Sequence, residues 1–227
     1  MAAQEDLADS LAELSRALQA EADSEAVLQR VVHAAVSDVS GAEFAGVTVL
    51  GTREASTPAC TDELVARVDA WQYAENEGPC LEASRQSPLV RSDDLALESR
   101  WPRFAPHAVD CGVRSMLSFA MFAHRGSVGA LNLYATGPDA FGVADEQVGA
   151  PLATHAAVAM VAKRTESQLW AAIDSRDVIG QAKGVLMERY EITAEQAFDR
   201  LIAASQAANM KLRAVAAQVT THGGLEP

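Results

Sequence analysis

From Leu152 to Ile179 the chain runs 28 residues without a glycine or a proline. Within that run Val158, Ala162, Thr165, Leu169 and Ala172 or Ile173 recur at spacings of three and four, the period of one helix face. A helix of this length without a breaker is stiff, so the segments before and after it are joined by a rod that transmits torque, not by a tether. Pro151 interrupts the pattern early and places the start of the helix proper near that residue. The small and apolar stripe suits a parallel two-helix seam and predicts a homodimer.

Beyond the rod the helical period continues through Val178, Ile179, Ala182, Val185 and Leu186, while Arg176, Gly180 and Lys183 fall on another face. This helix stops near Tyr190. Thr193, with Gln196 three residues on, has the form of a capping box that opens a second helix through Ala197, Phe198, Leu201, Ile202 and Ser205. A third, short helix follows Asn209, with Leu212, Val215, Ala216 and Val219 on its inner side. Three helices this short bury little surface and need one another, and a second copy, to be stable. Phe198 falls in the apolar stripe of its helix and reads as core, whereas Tyr190 is open to either a core or a base-stacking role.

The 227 residues suit two domains. Leu7, Leu11, Leu14 and Leu18 form a narrow helical seam, either a dimer contact or the back of the next domain. A second amphipathic helix carries Val27, Leu28, Val31, Val32, Ala35 and Val39. Glu43 to Leu50 reads as a strand, Thr61 to Tyr73 as a helix with Leu64, Val65, Val68 and Trp71 on one side, and Glu77 to Cys80 as a turn into a short helix. Pro88 to Val90 is a brief strand. Val113 to Ala123 and Val128 to Tyr134 pair as a hairpin about His124 to Ser127, and a long helix begins after Gly142. This order describes an antiparallel sheet flanked by helices, an α+β domain.

Two groups of residues carry resemblances. Arg176-Asp177-Val178-Ile179, Gln181 to Met187, Ala197-Phe198, Leu201, Asn209, Lys211-Leu212 and Ala216 resemble the ANTAR output domain of transcription antitermination regulators. Gly78-Pro79-Cys80-Leu81, Asp93-Asp94-Leu95, Arg100-Trp101-Pro102, Gly112 to Ser115 and Gly129 to Tyr134 resemble the GAF domains fused to them. The resemblance implies an α+β GAF domain followed by an all-α three-helix ANTAR domain, joined by a long helix. It divides the chain into an N-terminal helix (1–23), a GAF sensor (24–160), a helical connector (161–173) and an ANTAR domain (174–222). It also implies a six-stranded sheet, a possible small-molecule pocket between that sheet and the Gly78 to Trp101 segment, and a dimer that binds paired stem-loops in nascent messenger RNA. GAF domains accept varied ligands or none known, so the ligand or signalling partner stays unassigned.

The net charge of −13 argues against nucleic acid until its distribution is considered. Residues 1–173 hold 12 basic and 24 acidic residues, whereas residues 174–222 hold six of each. A neutral domain lacks a broad basic field, so RNA binding must rest on a few placed cations and on dimerisation. Arg176 and Lys183 stand seven residues apart on one helical face, and Lys211 with Arg213 opens the third helix; with Tyr190 these are the expected RNA-binding residues. Cys80 follows a Gly-Pro turn, where a helix dipole lowers a thiol's pKa, but a cysteine without a partner in sequence packs as a small hydrophobe, the reading adopted. No metal-ligand spacing, nucleophile motif or phosphate loop appears, so neither cofactor nor catalysis is expected. No apolar run is long enough to span a membrane, and the acidic start is unlike a signal peptide, so the chain is expected in the cytoplasm. A DNA-binding regulator with a helix-turn-helix and a redox- or metal-sensing GAF protein remain alternatives.

Overall fold

Alternate residues of a strand face opposite sides of its sheet, and here two neighbouring rows separate the two faces cleanly. Val47, Leu131, Phe119 and Leu89 are successive cross-strand neighbours, as are Gly46, Asn132, Ser118 and Val90 one residue away. The computed structural model describes residues 23–51, 54–123 and 126–224, with Ala12 and Arg16. The expected leucine seam at Leu7 to Leu18, and His124 of the expected turn, lie outside the described residues. The chain divides into two compact units, Met1–Arg164 and Thr165–Pro227.

In the first unit, strands β1 (Phe44–Leu50), β2 (Ala55–Cys60), β3 (Leu89–Ser92), β4 (Ser115–Ala123) and β5 (Gly126–Ala135) form one antiparallel sheet in the order β2-β1-β5-β4-β3. The row through Val47, Leu131 and Phe119 packs against α1 (Ser24–Asp38), which lays down Val27, Leu28, Val31 and Val32. Asp23 caps that helix, accepting from the backbone N–H of Glu25 and Ala26. The same layer receives Leu152, Ala153, Ala156 and Ala157 from the start of α5 (Val143–Tyr190). Each large aliphatic side chain buried this way contributes roughly 1.5–3 kcal/mol. Helices α2 (Glu63–Glu75), α3 (Pro79–Arg85) and α4 (Phe104–Asp110) cover the opposite face, where Val65, Val68, Phe104, Ala108 and Met116 are buried.

Three expectations need correction. The sheet has five strands among the described residues, not six. Its edge strand β2 escaped the sequence reading because ASTPAC is poor in strand formers and contains Pro58; the register with β1 shifts between Val47 and Val49, and an edge tolerates proline where a central strand does not. Second, α5 begins at Val143, as expected after Gly142, but Pro151 lies inside it and does not mark the start of the helix proper. Tertiary anchors hold this first part: Asp145 accepts from Gly142 N at 2.8 Å, Ser40 Oγ at 3.0 Å and Gly41 N at 3.2 Å. At Gly149 the helix lies so close to the sheet that a Cβ would meet the Phe119 ring at 2.3 Å. Third, Trp71 does not share the inner side of α2; it is 38% exposed and stacks on His107 with ring centroids 3.6 Å apart.

The second unit is built as its local signals require. The end of α5, α6 (Ala194–Ala208) and α7 (Leu212–His222) enclose a small core of Ala182, Leu186, Ala197, Leu201, Val215, Ala216 and Val219. The Thr193 capping box is present, with Gln196 N donating to Thr193 Oγ1 and Thr193 N to Gln196 Oε1. Asn209 ends α6 in the left-handed conformation. The helix α5 is continuous across the stretch predicted as a rod, and along it Val158, Leu169, Trp170 and Ile173 are each more than half exposed.

Candidate nucleic-acid interface and a buried polar network

Seven residues on a helix are close to two turns, so Arg176 and Lys183 share a face of α5. That face, with Ile179 and Gly180 between them, Ser175 before them and Phe198 from α6, lines an open groove. Arg176 is exposed and Lys183 half-buried. Phe198 corrects the sequence reading: it is 37% exposed, and Lys183 Nζ lies 5.7 Å from its ring centroid. The buried stripe of α6 runs through Ala197 and Leu201, and one residue is a turn of about 100° around the axis, which carries the neighbouring ring to the rim.

The other expected residues are placed differently. Lys211 is the exposed N-cap of α7, and Arg213 in its first turn donates to the carboxylate of Asp174 on α5. The groove and the start of α7 thus both bear cations next to the same stretch of α5. Tyr190 is half-buried against the helical core, and its ring is covered by the Arg200 guanidinium at 4.6 Å, with Arg189 at 5.9 Å.

The first unit holds an arrangement that sequence reasoning missed. Asp69 is fully buried on α2, beneath which the central strands present polar side chains. Its Oδ1 accepts from Tyr134 OH at 2.6 Å and Gln72 Nε2 at 2.8 Å, and its Oδ2 from Thr57 Oγ1 at 2.7 Å. Thr57 has one proton and gives it to Asp69, so Tyr73 OH, 2.6 Å away, must donate to Thr57. Tyr73 OH also lies 2.9 Å from Thr48 Oγ1, which accepts from Asn132 Nδ2 at 2.9 Å. Gln72 Oε1 accepts from Cys80 N at 3.0 Å and ties the start of α3 to the same group. One carboxylate therefore anchors β2, β5, α2 and α3. The available signal was Asp69, Gln72 and Tyr73 at helical spacing beside Val65 and Val68, polar residues on what is otherwise a core-facing stripe.

Burial raises the Asp69 pKa from an ordinary 3.8 to about 6, against the lowering effect of hydrogen bonds from Tyr134, Thr57 and Gln72. Burial and then the Asp69 charge push the Cys80 thiol well above its usual value, the reverse of activation by a helix dipole. Cys80 is wholly buried beside Leu81 and Ala130 and packs as a small hydrophobe. Ser84 Oγ, Ser118 Oγ and Asn132 Oδ1 are buried without a hydrogen-bond partner among the described residues. Those residues also contain no group of three or more His, Cys, Asp or Glu placed to hold a metal ion, and no helix long and apolar enough to cross a membrane.

A five-stranded antiparallel sheet between a two-helix layer and three shorter helices, continuing by one long helix into a three-helix unit, defines a two-part architecture. The family models agree: the GAF domain matches residues 21–161 and the ANTAR domain residues 167–219. The chain belongs to the GAF domain family and carries an ANTAR domain behind it. Among solved structures, the chain is similar to the chromophore-binding domain of a bacteriophytochrome from R. palustris, at 12% identity and TM-score 0.56, covering 72% of this chain and 63% of that one. It is also similar to free methionine-R-sulfoxide reductase from Neisseria meningitidis, at 17% identity and TM-score 0.57, covering 70% and 91%. The GAF domain of an Acinetobacter phosphoenolpyruvate-protein phosphotransferase matches at 12% identity and TM-score 0.54, covering 69% and 93%. At these identities the likeness is one of fold. The chain spans under two thirds of the bacteriophytochrome domain, and no curated protein matches it.

Proposed function

We propose that this protein is an RNA-binding transcription antitermination regulator of the cytoplasm, a homodimer in which the GAF domain receives a small-molecule or protein signal and the ANTAR domain engages stem-loops in a nascent transcript. The observation that carries the RNA reading is the groove of the second unit, where Arg176 and Lys183 flank an aromatic ring within a domain of balanced charge. Lys211 and Arg213 extend the cationic surface to α7, and Tyr190, held under Arg200, completes the expected set. Few cations mean strong dependence on each and on salt.

Two further observations support the remaining parts. Val158, Leu169 and Ile173 are exposed at coiled-coil spacing along α5, and a second copy of that helix would cover them. The unpartnered Ser118 Oγ and Asn132 Oδ1 belong to cross-strand neighbours on β4 and β5, the strands on which α3 packs, and a small polar ligand reaching them would satisfy both. Sequencing the RNA that copurifies with the full chain tests the proposal: paired hairpins should be enriched, and electrophoretic competition should favour tandem-hairpin RNA over duplex DNA. Equal competition by duplex DNA would shift the reading to a DNA-binding regulator.

A further inference from the structure

We propose that Phe198 is a stacking platform for one unpaired nucleobase, seated in the groove between α5 and α6 with its flanking phosphates at Arg176 and Lys183. The inference rests on the RNA-binding reading and adds the group that holds the base rather than the backbone. Three observations lead to it. The ring is 37% exposed in a unit whose core is complete without it, since Ala197 and Leu201 fill that side of α6. The ring does not stand alone in water: Ala172 and Ile179 line the same groove, so it belongs to a contiguous apolar surface with polar residues around it, the kind that marks a binding groove.

Gly180 leaves one point of the groove wall without a side chain. A Cβ built at Gly180 would meet no atom within 4 Å, and the same holds one turn on at Gly184. Glycine weakens a helix interior, and no close packing among the described residues accounts for it here. Gly180 and Phe198 line the same groove, and the open space at the glycine leaves room there for a bound group.

The charges around the groove then separate base from phosphate. Asp177 also lines it, which disfavours an anion inside. A nucleobase is uncharged at neutral pH and tolerates that carboxylate. Arg176 lies one turn to the N-terminal side of Gly180, and Lys183, 5.7 Å from the ring, lies on the other side. Both suit the phosphates on either side of a stacked base. A protein partner would call for a wider apolar surface than Ile179, Ala172 and Phe198 supply. Stacking is tolerant of base identity because every base has a π face, so this contact would fix the presence of an unpaired base and leave its identity to other groups.

The full chain is tested against a pool of tandem-hairpin RNAs with randomised loops, followed by hairpins carrying 2-aminopurine at each loop position in turn. Phe198→Leu should weaken binding roughly five- to hundredfold, the range one base–aromatic stack supplies, while Phe198→Trp stays within about twofold of the parent chain. One loop position should lose 2-aminopurine fluorescence on binding to the parent chain and to Phe198→Trp, and keep it with Phe198→Leu. A parent chain that binds no hairpin RNA in the pool overturns the RNA reading itself. A parent chain that binds while Phe198→Leu binds equally well overturns only the stacking site, as does the absence of quenching at every loop position. Phe198→Leu that lowers the sedimenting mass to that of a monomer makes the groove a contact between copies and also overturns it. Should the leucine variant unfold, quenching by the parent chain and by Phe198→Trp still decides the matter.

Discussion

Asp69 is the strongest test of how this sensor unit is held together, because one buried carboxylate anchors four elements and its ionisation has a defined sign. Its pKa is raised from 3.8 to about 6 on folding, so the unfolded chain releases this proton more readily than the folded one. Between those values the folded state binds the extra proton, and stability from this group rises as pH falls through about 6 toward 3.8. The full effect of the shift is about 3 kcal/mol, and between pH 7.5 and pH 5 roughly 1.4 kcal/mol of it appears. Other carboxylates act in the opposite sense: hydrogen bonds from Arg100 hold Glu98 down from 4.5 to about 2, so its contribution is lost progressively as pH falls from about 4.5 through 2. The informative quantity is therefore the difference between the parent chain and Asp69→Asn, measured by urea denaturation at each pH. Trp170→Phe serves as background, so that fluorescence reports Trp71 and Trp101 of the first unit alone. The parent-minus-variant stability should rise by roughly 1.4 kcal/mol from pH 7.5 to 5. Tyr134→Phe, which removes a donor from the charged form, should cost about 1.5–3 kcal/mol at pH 7.5 and less at pH 5. A difference curve flat across that window would refute the claim that Asp69 is ionised and strained at neutral pH.

Three further outcomes test the output and the rod. Lys183→Ala and Lys211→Ala should each weaken RNA binding by about 1–2 kcal/mol in filter assays at matched salt, with the dimer mass unchanged; unchanged affinity in both removes these lysines from the interface. Leu169, 60% exposed on the α5 stripe, should be covered in the dimer, so Leu169→Lys should sediment as a monomer at micromolar concentration where the parent chain is a dimer. Deleting three or four residues between Lys163 and Gln168 keeps the helical phase within about 60°, whereas deleting two rotates the downstream half of the helix by about 200° about its axis. The two-residue deletion should uncouple RNA binding from the state of the GAF domain while both domains stay folded, and equal regulation by both deletions would make the connection a tether.

Much of the second unit was legible in the sequence alone. Thr193 and Gln196 satisfy each other's backbone groups three residues apart, Asn209 closes α6 by its own conformation, and the buried Ala182, Leu186, Leu201 and Val215 follow the helical period. The unbroken run after Pro151 is helical because nothing in it can break a helix. These features depend on neighbours three or four residues away, and a sequence displays such neighbours directly. Residue identities in this unit also carried the resemblance to the ANTAR domain, as those between Gly78 and Tyr134 carried the resemblance to the GAF domain.

Tertiary structure decided what depends on distant partners. The sequence marks a helix start after Gly142 but gives no local reason for that helix to run unbroken through Pro151; Ser40 and Gly41 hold its first turn through Asp145, and Gly149 lets it lie against Phe119. Strand β2, weak by composition and carrying Pro58, exists because β1 offers it an edge. Phe198 shares its helix's apolar stripe, yet a rotation of about 100° from Ala197 puts it at the rim of a groove. Asp69 is the plainest case: its place on the stripe of Val65 and Val68 hints at burial, but nothing near it in the chain names Thr57 and Tyr134 as the partners that hold it in the core. Those partners are 12 and 65 residues away, and a buried charge persists only where such partners arrive together, which the fold alone arranges.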